Sequence, residues 1–274
     1  MLTSNGYSLD TAPARMGALT PVPDEERHDR DALWARLRRD GYLYLQGALP
    51  PDRVTAFRRH YFQAMATTGL RERGRGHPDP AAVRRVLFEQ VVPGPVYDAF
   101  CTQPAIRDWY AWFLDAPVFL HRRKIIRHQR AGDTGIGFAT QAHYDLVYLR
   151  EGTDRVLSSW IPLGDCPAAR GGLVYLEGSH QRVRAEEQDG RLRRPAASIT
   201  ADLPALADKF ASRWLVADYA AGDMVVHSPY MVHASLDNAD PDEVARLSTD
   251  IRYQRADDPI DWRWQEHWHD RDGL

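Results

Sequence analysis

His143 and Asp145, in the run Gln141-Ala-His-Tyr-Asp-Leu-Val-Tyr148, could share one metal ion. On an extended strand, residues two apart project from the same face, so an imidazole and a carboxylate at this spacing can reach a common point. His233, at the end of the strand-like run 223–233, would add the second imidazole of a 2-His-1-carboxylate set. Such a set holds one face of an octahedral ferrous ion and leaves three positions for co-substrate and dioxygen. His227 lies in the same run. It sits inside the strand and reads as a core or supporting residue, whereas His233 precedes the small Ala234 and Ser235, where a barrel mouth could lie. Further on, Arg246 opens another strand-like segment that could return beside His233 and bring a guanidinium fork to a carboxylate; Arg252 alternates with it on the same face.

A His-x-Asp pair means little alone, since a chain with 11 His yields about one by chance. The other pair here, His77-Pro78-Asp79, has a proline between its members and reads as a turn, with Asp79 capping a helix that starts at Pro80. The stretch 142–149 has no Gly or Pro and is rich in Tyr, Val and Leu, which predicts a half-buried strand.

The elements around these residues change period midway. Residues 1–22 contain scattered prolines and predict an arm or a disordered tail. Residues 23–117 carry helical signals: Leu33, Trp34 and Leu37 share one face before Gly41, and Val54, Phe57, Tyr61 and Met65 form a second stripe after Pro51. Residues 118–254 read as short strands at 118–130, 142–149, 156–162, 171–178, 214–217, 223–233 and 246–254. The segment 181–211 lacks a strand pattern and predicts a lid-like insertion. The expected fold is mainly β with flanking α: a double-stranded β-helix, that is, a jelly-roll or cupin-like barrel, with N-terminal helices packed on one face, in a single domain over 23–274.

Composition narrows the function. The net charge of −3 and pI near 6.4 give no basic field for nucleic acid. The basic spots at 71–75 and 191–194 read as solvated loops. The start lacks a signal peptide, no run reaches membrane-span length, and the two cysteines lack metal or redox spacing, so a cytoplasmic monomer or homodimer is expected.

Several segments together resemble the phytanoyl-CoA dioxygenase family of Fe(II)/2-oxoglutarate oxygenases. They are Gln141-Ala-His-Tyr-Asp, Trp160-Ile-Pro-Leu-Gly-Asp, Gly171-Gly-Leu-Val-Tyr-Leu-Glu-Gly-Ser-His180, Gly222-Asp-Met-Val-Val-His-Ser, His233-Ala-Ser-Leu-Asp-Asn and Arg246-Leu-Ser-Thr-Asp-Ile-Arg-Tyr. The resemblance implies Fe(II), 2-oxoglutarate and O2 as cofactors and co-substrates, with His143, Asp145 and His233 on the metal. It also implies Arg246 and Ser235 on the distal 2-oxoglutarate carboxylate, Trp160 and Ile125 in the co-substrate pocket, and Gln129 where relatives often carry lysine. Two departures from the family pattern are Glu177, where Pro is usual, and a longer interval between His233 and Arg246. The expected activity is hydroxylation, cyclisation, epimerisation or desaturation of a small, polar specialised metabolite rather than a CoA thioester. Tyr144, Tyr148, Arg150 and the segment 261–270 are candidate pocket walls. The competing readings are a non-catalytic cupin-type binding module, which has no use for a dicarboxylate anchor, and a metal-dependent isomerase or hydrolase, which needs no oxygen.

Overall fold

In this computed structural model, residues 1–133, 135–191 and 197–269 are described. The chain opens with β1 (Thr3–Ser4), β2 (Tyr7–Ser8) and β3 (Met16–Ala18). Then come α1 (Arg30–Asp40), β4 (Tyr42–Leu45), α2 (Pro51–Ala64), α3 (Pro80–Val86), α4 (Pro95–Cys101) and α5 (Pro104–Leu114). The β-rich half contains β5 (Val118–Leu120), β6 (Ile125–Gln129), β7 (Leu157–Pro162), β8 (Leu173–Leu176), α6 (Ser179–Gln188) and α7 (Leu203–Phe210). It ends with β9 (Trp214–Val216), β10 (Met224–His227), β11 (His233–Ser235) and β12 (Arg246–Arg255).

The helix boundaries follow from local chemistry. Asp29 caps α1 by accepting from the Ala32 N–H, and α2 to α5 each begin on a proline, whose missing N–H costs nothing in a first turn. Gly41 ends α1 at φ 81°, and a Cβ there would lie 2.5 Å from the His180 ring, so both backbone and packing require glycine.

Two sheets face each other. The larger runs β4-β10-β7-β12-β5, with β6 also on β12, and the smaller runs β11-β8-β9-β3. One face of the larger sheet packs on the helices through Leu43, Val226, Leu157, Ile161, Leu247 and Ile251 with Phe57, Tyr97 and Phe113. The other face and the smaller sheet enclose Tyr42, Tyr44, Trp160, Tyr175 and Val225. This is the jelly-roll barrel expected, with its helices on one side. Alternation along β12 puts Leu247, Ile251 and Tyr253 toward the helices and therefore Arg246, Ser248, Asp250 and Arg252 into the barrel.

Three local expectations differ. Residues 1–22 are not a free tail: β3 pairs in parallel with β9, and Leu9, Met16, Leu19 and Val22 are buried. No hydrophobic pattern announced this, because the pairing is made with a distant strand. The run 223–233 divides at Ser228-Pro229 into β10 and β11, which belong to different sheets; proline cannot donate to a ladder and marks the corner. The run 118–130 divides likewise into β5 and β6, both paired with β12. The segment 181–211, where no strand pattern was expected, holds most of α6 and all of α7 and no strand among its described residues, while residues 192–196, with Arg193 and Arg194 of the basic spot, lie outside the described residues.

The N-terminal hairpin is fastened at Asp237. This buried carboxylate accepts from Thr3 Oγ1 (2.7 Å), the Asn5 N–H (2.9 Å) and the Gly6 N–H (3.0 Å). Asp237→Ala is expected to lower stability by about 2–4 kcal/mol, since three donors lose a charged acceptor. A urea melt reads this as a lower midpoint at unchanged slope.

Candidate active site

His143 and Asp145 do not sit on a regular strand. His143 forms a single antiparallel bridge with His233, its N–H donating to the His233 carbonyl (3.0 Å) and its carbonyl accepting from the His233 N–H (2.9 Å). The chain then turns into a short 3-10 helix, Asp145–Val147, in which the Tyr148 and Leu149 N–H groups fold back on the Asp145 carbonyl. The β-formers Tyr, Val and Leu of 142–149 are thus overridden by tertiary context. The turn delivers what the strand spacing was expected to deliver: one ligand atom each from His143, Asp145 and His233 lies within 4.8 Å of the others, and all three residues are buried.

The donor chemistry suits a divalent cation. His143 Nδ1 lies 2.9 Å from the Gln141 carbonyl and His233 Nδ1 lies 3.0 Å from the Met231 carbonyl. A carbonyl only accepts, so both Nδ1 atoms carry the proton and both Nε2 lone pairs are left for a metal. Burial pushes both imidazoles below their ordinary pKa, and for His233 the neighbouring His143 and His227 push further, so the rings are neutral. Burial alone would raise the Asp145 carboxyl, but the Arg252 guanidinium, His227 and His233 outweigh it and hold it well below the usual carboxylate range. Two neutral imidazoles and one carboxylate form the donor set of a non-haem iron site.

The two oxygens of Asp145 have different surroundings. Oδ1 lies 3.6 Å from His143 Nε2, 4.0 Å from His233 Nε2 and 3.2 Å from Arg252 Nη2. Oδ2 accepts a short hydrogen bond from Ser158 Oγ and lies 3.5 Å from His227 Nε2. His227 therefore stands behind the carboxylate, beside His233 at 4.4 Å between ring centroids and in contact with Tyr175. Ser158 was not anticipated; its only signal was its place two residues before Trp160 on the same strand face. Because Ser158 and His227 occupy Oδ2, they fix the direction in which Oδ1 points. Ser158→Ala is expected to weaken Fe(II) binding on the order of tenfold, the usual cost of losing a bond that orients a metal ligand. Anaerobic competition against a chromophoric chelator measures it.

The co-substrate candidates lie in the same barrel. Arg246 is buried, donates from Nη1 to Ser248 Oγ (3.2 Å), and its Nε finds no partner among the described residues. The Gln129 amide is best satisfied when its nitrogen donates to the Leu236 carbonyl and its oxygen accepts from the Asn238 N–H, both at 3.2 Å. That orientation ends the long 3.4 Å contact in which Arg246 Nη2 would donate to the Gln129 oxygen. A buried guanidinium without a carboxylate partner is costly unless an anion joins it. Ser235 is fully buried, with Oγ accepting from the Thr140 N–H (2.7 Å) and so retaining its own proton to donate. Trp160 is fully buried against Tyr219, its Nε1 without a partner among the described residues, and Ile125 stands opposite Asp250.

Beside His143 opens a cavity of about 340 Å³ lined in part by Ile125, Arg127, Tyr148, Arg252, Trp264 and Trp268. Tyr148 and the C-terminal tryptophans thus line it as expected of pocket walls. Tyr144 is instead buried in the apolar cluster of the smaller sheet, and Arg150 is exposed.

A buried 2-His-1-carboxylate set inside a jelly-roll barrel, next to a buried guanidinium whose Nε has no partner among the described residues and beside an open cavity, suits the class of non-haem iron oxygenases that use a dicarboxylate co-substrate. The chain belongs to the phytanoyl-CoA dioxygenase (PhyH) family, whose model matches residues 37–246. It is similar to the 1-deoxypentalenic acid 11-beta-hydroxylase of Streptomyces exfoliatus, with 27% identity over 249 residues, 86% of this chain and 84% of that protein. Its fold is that of the non-heme alpha-ketoglutarate-dependent carbocyclase SnoK from nogalamycin biosynthesis (TM-score 0.60, 22% identity, 89% of each chain). It also matches the epimerase SnoN in complex with Fe3+, alpha-ketoglutarate and nogalamycin RO (TM-score 0.60, 20% identity, 84% of this chain and 85% of that one). The chain is accordingly an Fe(II)/2-oxoglutarate-dependent oxygenase that acts on a small molecule, and the binding-module and oxygen-independent readings find no support. No helix among the described residues is long and apolar enough to cross a membrane.

Proposed function

We propose that the chain oxidises a C–H bond of a specialised metabolite, with His143, Asp145 and His233 holding the iron and Arg246 with Ser235 holding the distal carboxylate of 2-oxoglutarate. Trp160 and Ile125 form the walls of the co-substrate pocket, and Gln129 supports it by bracing residues 236–238 rather than by charge. The observation that carries this reading is the pair of imidazoles whose Nδ1 protons are tied to backbone carbonyls, leaving two Nε2 lone pairs beside an ionised Asp145. Bound iron with 2-oxoglutarate and O2 supplies the oxidising power. The protein's own residues do the rest: Ser158 and His227 aim Asp145, the buried barrel excludes water from the ligands, and the cavity beside His143 holds the substrate. Ser198 borders that cavity, its Oγ donating to the Gln141 side chain (2.7 Å), and serves as the inner edge of a lid formed by the described parts of 181–211. The names of the relatives, a hydroxylase, a carbocyclase and an epimerase, support hydroxylation or a related C–H oxidation in specialised biosynthesis. The protein works in the cytoplasm as a monomer or homodimer.

Two measurements test this. Anaerobic addition of Fe(II) and 2-oxoglutarate should produce a weak visible charge-transfer band, and admission of oxygen should convert 2-oxoglutarate to succinate. No band and no oxygen uptake would refute the reading. Because Asp145 fills the position a halide would need, mass spectrometry under excess chloride should show no chlorinated product.

A further inference from the structure

The hairpin of β1 and β2 turns its buried polar groups toward the reaction chamber. Each strand has two residues, and Asn5 and Gly6 between them take positive φ (51° and 83°), as a tight two-residue turn requires. A hairpin this short does not hold itself together in water. Ser4 and Asn5 are nevertheless buried, 0% and 2% exposed. Ser4 Oγ donates to the Ser235 carbonyl (2.7 Å), and Asn5 Oδ1 accepts from the Gly137 N–H (3.0 Å). The Asn5 side-chain nitrogen joins the two by donating to Ser4 Oγ (3.4 Å).

Gly137, Ala139, Thr140 and Gln141 line the cavity beside His143 and form one wall of it. The inner end of this wall is tied down: Thr140 exchanges two hydrogen bonds with Ser235, and the Gln141 side chain accepts from Ser198. The outer end has no such packing or pairing. Ile136 and Phe138, whose side chains could have anchored it in a core, are 68% and 52% exposed. Gly135 and Gly137, at φ 100° and 98°, leave its backbone pliant. Among the described residues, the one hydrogen bond that leaves residues 135–139 for the rest of the protein runs from Gly137 to Asn5. Gly6 also abuts this stretch, since a Cβ there would lie 3.5 Å from Gly135 Cα.

We propose that Asn5 is a positioning residue of the oxygenase. It sets the outer edge of the cavity wall, and with it the fit of the substrate's body, from 132 positions away in the sequence. This deepens the proposed function and rests on it only in taking the cavity beside His143 as the substrate's.

The test uses full-length protein loaded with Zn(II) and 2-oxoglutarate, which is inert to oxygen, with 2-naphthol as a neutral probe of the cavity. Binding is followed at the indole N–H of Trp264, which lines the same cavity, by NMR assigned with Trp264→Phe. Asn5→Gly removes the acceptor while glycine keeps the positive-φ turn. Thr3→Val is the control, because it removes a bond to Asp237 from the same hairpin without touching the wall. Asn5→Gly should bind 2-naphthol about tenfold more weakly, the scale of one buried hydrogen bond, and should keep the wild-type constant for 2-oxoglutarate. Thr3→Val should melt at a lower temperature and keep both constants. A hairpin that only stabilises the fold would not produce this split. Equal binding of 2-naphthol by wild-type and Asn5→Gly protein, equal losses in the two variants, or no binding to wild type would overturn the proposal. So would an Asn5→Gly protein that loses 2-oxoglutarate more than 2-naphthol, since the hairpin would then act on Ser235. Failure of wild-type protein to bind 2-oxoglutarate, with 2-naphthol still weakened by Asn5→Gly alone, would strike the oxygenase reading and leave the role of Asn5 standing.

Discussion

His233→Ala should abolish tight Fe(II) binding while the barrel stays folded, and His227→Ala should weaken binding and keep it. The two histidines are 4.4 Å apart between ring centroids and both are buried, yet they face different oxygens of Asp145. His233 approaches Oδ1, the oxygen that His143 also faces, whereas His227 approaches Oδ2 with Ser158. Loss of one of three protein ligands removes a whole bond to the metal, while loss of a supporting ring costs about 10- to 100-fold in affinity. Anaerobic metal titration with circular dichroism as the folding control separates the cases. Iron lost in the His227 variant and retained in the His233 variant would reverse the assignment.

Arg246→Ala should raise the apparent 2-oxoglutarate constant about thirty-fold or more, corresponding to about 2 kcal/mol for a charge-assisted pair in a desolvated pocket. The expectation rests on a guanidinium whose Nε has no partner among the described residues and whose neighbours Ser248 and Gln129 are neutral. Arg246→Lys should recover little, because an ammonium cannot reproduce the planar fork. Titration of the charge-transfer band reads both variants; an unchanged constant would end the role of Arg246.

The jelly roll was legible because strand period and turn residues are local signals, and β12 runs from Arg246 as its pattern indicated. The grouping of His143, Asp145 and His233 was legible from residue type and order, although the strand thought to present the first two is a bridge followed by a 3-10 turn. That outcome depends on the Asp145 carbonyl accepting from Tyr148 and Leu149, a choice made by packing rather than by propensity. Ser158 could not be picked out, since one serine among neighbours of ordinary type gains its role only when β7 comes to lie behind the turn that carries Asp145. The meeting of Arg123, Arg127 and Arg252 at the cavity was hidden for a similar reason: they come from β12 and from two points on or just before β6, and nothing in their spacing tells that they converge.

The fastening at Asp237 also sets the order in which the molecule can be completed. Thr3 Oγ1 bonds to a residue 234 positions later, Ser4 Oγ bonds to the Ser235 carbonyl, and the Asn5 side chain accepts from the Gly137 N–H at the cavity edge. Residues 3–5 are made long before strand β11 and lack these partners until it follows. Contacts of such sequence separation are slow to close and leave the early chain exposed meanwhile. The pocket is therefore finished only when residues 3–5 meet the strand that carries His233, and synthesis halted short of residue 233 yields a chain with neither the second imidazole nor the anchor for residues 3–6.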